Sequence, residues 1–124
     1  MKAKPPETPP GPVEAYDFGH ITIHRRTYTS DVLVFPDGQV QSNWWRLEGH
    51  RLGLEDLADL LSRRPETIVV GTGSAGCMQL DPELPRRLAE MNVKIIAEPT
   101  AVAVATFNRE FRTGRTGAAF HLTC

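Results

Sequence analysis

The chain has 124 residues, 40% of them hydrophobic, enough for one domain with an ordinary core and too few for two. Its 14 basic and 15 acidic residues give a formal net charge of −1, which lacks the Lys/Arg surplus of a dedicated nucleic-acid binder, so no nucleic-acid partner is expected. No segment reaches the ~20 apolar residues that span a bilayer and no apolar leader opens the chain; the expectation is a cytoplasmic protein without membrane insertion.

Residues 1–12 hold Pro5, Pro6, Pro9, Pro10 and Pro12 and almost nothing apolar, which predicts a disordered, Pro-rich tail ahead of a single α/β domain over 13–124. Pro6-Glu7-Thr8-Pro9 spells P-x-x-P, a pattern short and common enough to be read as part of that tail. Strands follow from Ile21 to Trp45. Ile21 and Ile23 alternate with polar neighbours, and Asp31-Val32-Leu33-Val34-Phe35 is a β-branched, aromatic run. Pro36-Asp37-Gly38 supplies a turn, and Val40 to Trp45 is expected to return as the hairpin partner.

A helix is predicted from Leu54 to Arg64, with Leu54, Leu57, Ala58 and Leu61 facing inward and Pro65 ending it. Thr67-Ile68-Val69-Val70 reads as a fully buried strand. Asp81-Pro82 opens a helix to Met91 with Leu84, Leu88 and Met91 inward, and Val93 to Ala97 is the next strand. Thr100 is expected to cap a helix to about Arg112, whose start, Ala101 to Ala105, is apolar all round and predicts packing on more than one side. Gly114 ends it, and Gly117 to Leu122 is the last strand. The order predicts an α/β sheet covered on both faces, with the Thr67 and Val93 strands as parallel neighbours.

Several segments together resemble one known family. They are Asp31-Val32-Leu33-Val34-Phe35, Val70-Gly71-Thr72-Gly73, Glu98-Pro99-Thr100 with Ala103, Asn108, and the ending Ala118-Ala119-Phe120-His121-Leu122-Thr123-Cys124. The chain is similar over most of its length to the Mth-nine-thirty-eight-type domain family, which includes proteins of unknown function, a human adipogenesis-associated protein and mitochondrial complex I assembly factor three. The resemblance implies a three-layer α/β fold. Its mixed, mainly parallel five-stranded central sheet would have the last strand antiparallel to the rest, and an N-terminal β-hairpin layer would be added. It implies no catalytic residue, because the family has no agreed reaction. The assembly role belongs to a mitochondrial member, and the Pro-rich start here is neither amphipathic nor Arg-rich, as a mitochondrial presequence would be.

Gly71-Thr72-Gly73-Ser74-Ala75-Gly76 spells G-x-G-x-x-G after a strand, with the acidic Glu98 further on. A dinucleotide site needs a helix opening within that loop, yet the next helix starts only at Asp81-Pro82, so no cofactor is expected. Two readings remain. Gly71, Thr72, Gly73, Ser74 and Gly76 with Thr100 are a candidate ligand-binding edge, their N–H groups converging on an anion; alternatively the glycines merely permit a tight connection. Glu98 would oppose an anion if it turns toward the loop.

Cys77 lies at that edge and is read as buried and inert rather than nucleophilic; neither it nor Cys124 fits a metal or disulfide pattern. His20 and His24 share a strand face, but two ligands without a third predict no metal site. His121 is read as a core histidine satisfied by a backbone hydrogen bond, and His50 has no assigned role. Trp44-Trp45-Arg46 is the other unusual feature. Adjacent residues face opposite ways, so one indole is expected outside, where with Arg46 it would anchor a protein partner or else pack under the loop Leu47 to Gly53. The leading expectation is a non-enzymatic protein-binding or assembly-factor-like module. The alternative is a small-molecule or anion-binding protein, with or without a reaction, using the Gly71–Gly76 edge.

Overall fold

A computed structural model describes residues 9–124; Pro5, Pro6 and most of the P-x-x-P stretch lie outside the described residues. The strands are β1 (Val13–Asp17), β2 (His20–Ile23), β3 (Arg26–Tyr28), β4 (Val32–Val34), β5 (Val40–Gln41), β6 (Arg51–Leu52), β7 (Thr67–Thr72), β8 (Gln79–Leu80), β9 (Lys94–Glu98) and β10 (Thr116–His121). The helices are α1 (Ala58–Leu61), α2 (Leu84–Glu90) and α3 (Thr100–Phe111). The central sheet has five strands in the order β5-β4-β10-β7-β9, and β1-β2-β3 form a separate antiparallel sheet.

β10 runs parallel to β7, and β7 parallel to β9, because helices carry the chain back between them. The strand that runs against its neighbours is β4, not the last strand, which corrects the expected topology. The cause is local. The turn at Pro36-Asp37-Gly38, closed by Phe35 N–H to Gln39 O and with Gly38 at φ +90°, folds β5 back on β4 as a hairpin.

Period-two alternation divides the core between the two faces of this sheet. Ile68, Val70 and Ala119 meet Leu57, Leu60, Leu84 and Leu88 beneath α1 and α2. Val69, Ala118 and Phe120 meet Val104 and Phe107 of α3 together with Val13, Ile21 and Ile23 of the N-terminal sheet. The three layers of the expected α/β fold are thereby formed.

Several elements depart from the sequence expectation for identifiable reasons. The helix expected over 54–64 is a 3₁₀ turn, Leu54–Leu57, followed by the single-turn α1. Trp44 Nε1 donates to Asp56 O at 3.0 Å, which ties the indole to this turn. Leu57, at the end of the 3₁₀ turn, and Leu60 of α1 are fully buried, and Ala58 is exposed. β5 stops at Gln41 because Asn43 adopts φ +54°, so both tryptophans lie beyond the strand. Met91 and the first residues of α3, Ala101 and Val102, are exposed rather than packed.

Asn108 sits fully buried in α3 and binds the N-terminal segment as a strand would. Its Oδ1 accepts from Val13 N, and its Nδ2 donates to Val13 O and Pro9 O. Pro12 O accepts from His24 N at 3.1 Å. The last residues of the expected tail, Pro9 to Pro12, are therefore bonded to the domain.

Candidate functional site

The antiparallel register between β4 and β10 sets Phe120 opposite Val32, so the next step of the ladder brings His121 level with Asp31. His121 Nδ1 lies 2.7 Å from Asp31 Oδ2, and Asp31 Oδ1 accepts from Leu122 N at 2.9 Å. Arg46 reaches the same carboxylate from the other side, Nη1 to Oδ2 2.9 Å. The side chains of Arg46 and His121 are only 5% and 6% exposed, which makes this a buried charge pair with an imidazole attached.

Arg46 is held at every edge. Its Nε donates to Gly49 O at 2.7 Å, and its guanidinium lies over the Trp44 ring with 4.8 Å to the centroid. The supporting backbone is stitched in turn: Trp44 N–H donates to Asp31 O, and Asn43 N–H to Ser30 Oγ. Above this group lies a cavity of about 420 Å³, whose lining includes Ser30, Trp44, Trp45, His50, His121 and Thr123. The His50 and His121 rings pack edge to face with centroids 5.5 Å apart. His121 Nε2 is buried and has no hydrogen-bond partner among the described residues.

The glycine loop after β7 lies behind His121. Gly73 N–H donates to Thr100 Oγ1 at 2.9 Å, and that hydroxyl donates to His121 O at 2.6 Å. Ser74 N–H donates to Thr123 O, Gly76 N–H to Gly73 O, Cys77 N–H to Cys124 O, and Thr100 N–H to Gly73 O. The donors that the sequence offered to an anion are thus occupied by the chain's own oxygens. Gly71 and Gly73 are required by close approach: a Cβ on Gly71 would stand 2.8 Å from Thr100 Oγ1, and one on Gly73 would run into the Cys124 carbonyl. The loop, Thr100 included, positions the strand that carries His121.

Residues 13–122 match the model of a family described as protein of unknown function (DUF498/DUF598). The chain belongs to that family. The solved structures it is similar to include Pyrococcus horikoshii PH1505, 24% identical over 90% of this chain and 98% of that one with a TM-score of 0.82. The protein MT938 is 27% identical over 90% and 97% of the two chains, TM-score 0.77. A Bordetella pertussis protein described as a Mth938-like domain is 25% identical over 98% and 92%, TM-score 0.67. Curated proteins give no match.

Within this family member the residues singled out from sequence have distinct fates. Trp44 is 5% exposed and Trp45 82%, so one indole is inside and one outside. Arg46, expected beside Trp45 on a partner surface, is instead consumed by Asp31. The Glu98 carboxylate accepts from Thr106 on α3 at 2.6 Å, and Pro99 rather than Thr100 is the residue preceding the helix. Cys77 is exposed, not buried, since its N–H is tied to Cys124 and its side chain is left outside. His121 pairs with a carboxylate, not a backbone group. Among the described residues no three His, Cys, Asp or Glu side chains form a metal-holding group. No described helix is long and apolar enough to cross a membrane.

Sequence reasoning does not single out Asp31 as a site residue. It sits in the quoted run Asp31 to Phe35, but only the sheet order tells that this run meets the chain's end.

Tyr16 adds a polar tie beside the same strand end, its hydroxyl donating to Leu122 O at 3.0 Å. Burial pushes its phenol up from the ordinary value, against an opposing hydrogen bond with Ser74.

Proposed function

We propose that this chain is a non-enzymatic protein-binding module of the assembly-factor kind, acting in the cytoplasm and docking its partner through Trp45 and Leu47. The observation that carries the reading is the exposure of both side chains, 82% each, on a segment whose neighbours Trp44 and Arg46 are fixed inside. With its neighbours fixed, the backbone at Trp45 is already in place, so binding has to order only the indole's own rotamers, which favours an interface anchor. Arg46 is already neutralised by Asp31, and the surface beside Trp45 and Leu47 carries Glu55, Asp56 and Asp59, so the partner it suits presents an apolar pocket with a basic rim instead of an acidic patch.

Affinity capture with the native chain and with Trp45→Ala and Leu47→Ala tests the proposal. The same protein should be enriched by the native chain and lost with either variant, while both variants keep the native melting temperature. Equal capture by all three chains would overturn it.

A second reading, small-molecule binding, is favoured by the cavity over His121. It transfers the expected ligand edge from the Gly71–Gly76 loop, whose donors are occupied, to the concave surface that the loop supports.

A further inference from the structure

We propose that β9 is a dimerisation edge, along which two copies of this chain pair antiparallel and join their central sheets into one. The proposal goes beyond partner docking and does not depend on Trp45 and Leu47.

β9 ends the central sheet, with β7 on one side and no strand on the other. The register tells which of its backbone groups are left over. Lys94 N–H donates to Glu66 O, so Lys94 faces β7. In a parallel ladder the facing residues alternate, so Ile96 and Glu98 also bond to β7. Ile95 and Ala97 therefore turn their N–H and C=O groups away from the sheet. Among the described residues no other segment bonds to them, Ala97 is exposed, and Ile95 is only partly buried.

Those free groups dictate how a second copy can pair. Antiparallel strands bond through residues that both face across, here Ile95 with the second copy's Ala97 and Ala97 with its Ile95. Each pair exchanges two hydrogen bonds, and Ile96 meets its own copy on the two-fold axis. A register two residues away would need Val93 or Pro99 as a bonding residue. Val93 N–H is already held by Leu88 O, and Pro99 has no N–H.

The same register matches the charges. It sets Lys94 directly opposite the second copy's Glu98, and Glu98 opposite its Lys94, in the closer kind of cross-strand pair. Alternation keeps Lys94, Ile96 and Glu98 on one face. Lys94 is exposed and makes no ion pair among the described residues. Glu98 is partly exposed, and its one partner, the Thr106 hydroxyl, leaves the carboxylate's charge unbalanced. A lysine on an edge strand ordinarily deters pairing; here the strand carries the acid that receives it. Both copies use β9, so the assembly closes as a dimer.

Sedimentation velocity of the full-length chain, up to hundreds of micromolar, should show a species of twice the 13.8 kDa chain mass. Ala97→Pro removes an N–H that bonds nothing within the described chain, at the kind of edge position where proline is tolerated, and should abolish the dimer. Lys94→Glu sets carboxylates opposite each other, and Glu98→Lys sets ammonium groups opposite each other. Each alone should dimerise at least about tenfold more weakly, whereas an equimolar mixture restores both pairs and should dimerise like the native chain. A native chain that stays monomeric, a dimer that Ala97→Pro leaves intact, or a mixture no better than its components would overturn the proposal. If Ala97→Pro or Glu98→Lys does not fold, Lys94→Glu at its exposed site decides, and an undiminished dimer overturns the proposal. Trp45→Ala and Leu47→Ala should dimerise like the native chain, so failure here and failure of partner docking are read separately.

Discussion

His121, the last residue of β10, and Asp31, which immediately precedes β4, are 90 residues apart in the chain and stand 2.7 Å from each other, Nδ1 to Oδ2. The same carboxylate holds Arg46, so one aspartate fixes both the end of β10 and the segment that presents Trp45. A buried pair of this kind adds little stability compared with well-packed apolar residues, yet removing one partner leaves the other charge stranded.

Asp31→Asn should therefore destabilise the protein by about 3–5 kcal/mol, because the Arg46 guanidinium stays buried with its counter-charge gone. Urea unfolding measures it. A loss under ~1 kcal/mol, the level of an exposed pair, would mean that water reaches Arg46 freely.

The adjacent tryptophans should behave as opposites. Trp44→Ala removes a buried indole and its bond to Asp56 O, and should cost about 3–5 kcal/mol. Trp45→Ala should stay within about 0.5 kcal/mol of the native chain. Equal losses by denaturant titration would show that Trp45 packs in solution.

Truncation separates two parts of the Pro-rich start. Removal of residues 1–8 should leave the thermal midpoint nearly unchanged, as expected of a segment without apolar anchors. Removal through Pro12 also takes away Pro9 O, one of the two acceptors of Asn108 Nδ2, and Pro12 O, the acceptor of His24 N–H, and should lower the midpoint by at least about 4 °C, near 1 kcal/mol for a domain of this size. Equal midpoints for the two truncations would deny the docking of Pro9 to Pro12.

Tyr16 gives a pH signature. Its phenol is raised above the ordinary value of about 10, chiefly by burial, so the fold favours the neutral form. That contribution is whole below the unfolded value and is lost as pH rises through the folded one. Tyr16→Phe, which also loses the bond to Leu122 O, should be about 0.5–1.5 kcal/mol less stable near neutral pH. The gap should narrow above about pH 10, and a constant gap would contradict the assignment.

The layered α/β fold was legible in the sequence because the continuous apolar run Thr67 to Val70 and the helical stripe of Leu84 and Leu88 are local patterns. The strand order was not, since β10 inserts between β4 and β7, and nothing local to any of the three strands announces it. That insertion is what joins Asp31 to His121. Side chains that capture backbone groups were equally invisible. The Trp44 indole binds Asp56 O at the 3₁₀ turn that stands where periodicity predicts a longer helix, and the Thr100 hydroxyl turns inward to His121 O instead of capping α3. The glycine loop stands out in the sequence, but its donors face the chain's own last residues, a partner that only the assembled fold supplies.

Photo-crosslinking at position 45 tests the central claim, that the Trp45–Leu47 segment is a protein-docking surface. A benzophenone amino acid replaces Trp45 in one full-length chain and Met91, an exposed residue following α2, in another. Irradiation in native cells should yield one discrete adduct, with the same protein captured by the unmodified chain, from position 45 and none from position 91. No adduct at position 45, or the same adduct from both positions, would contradict the account.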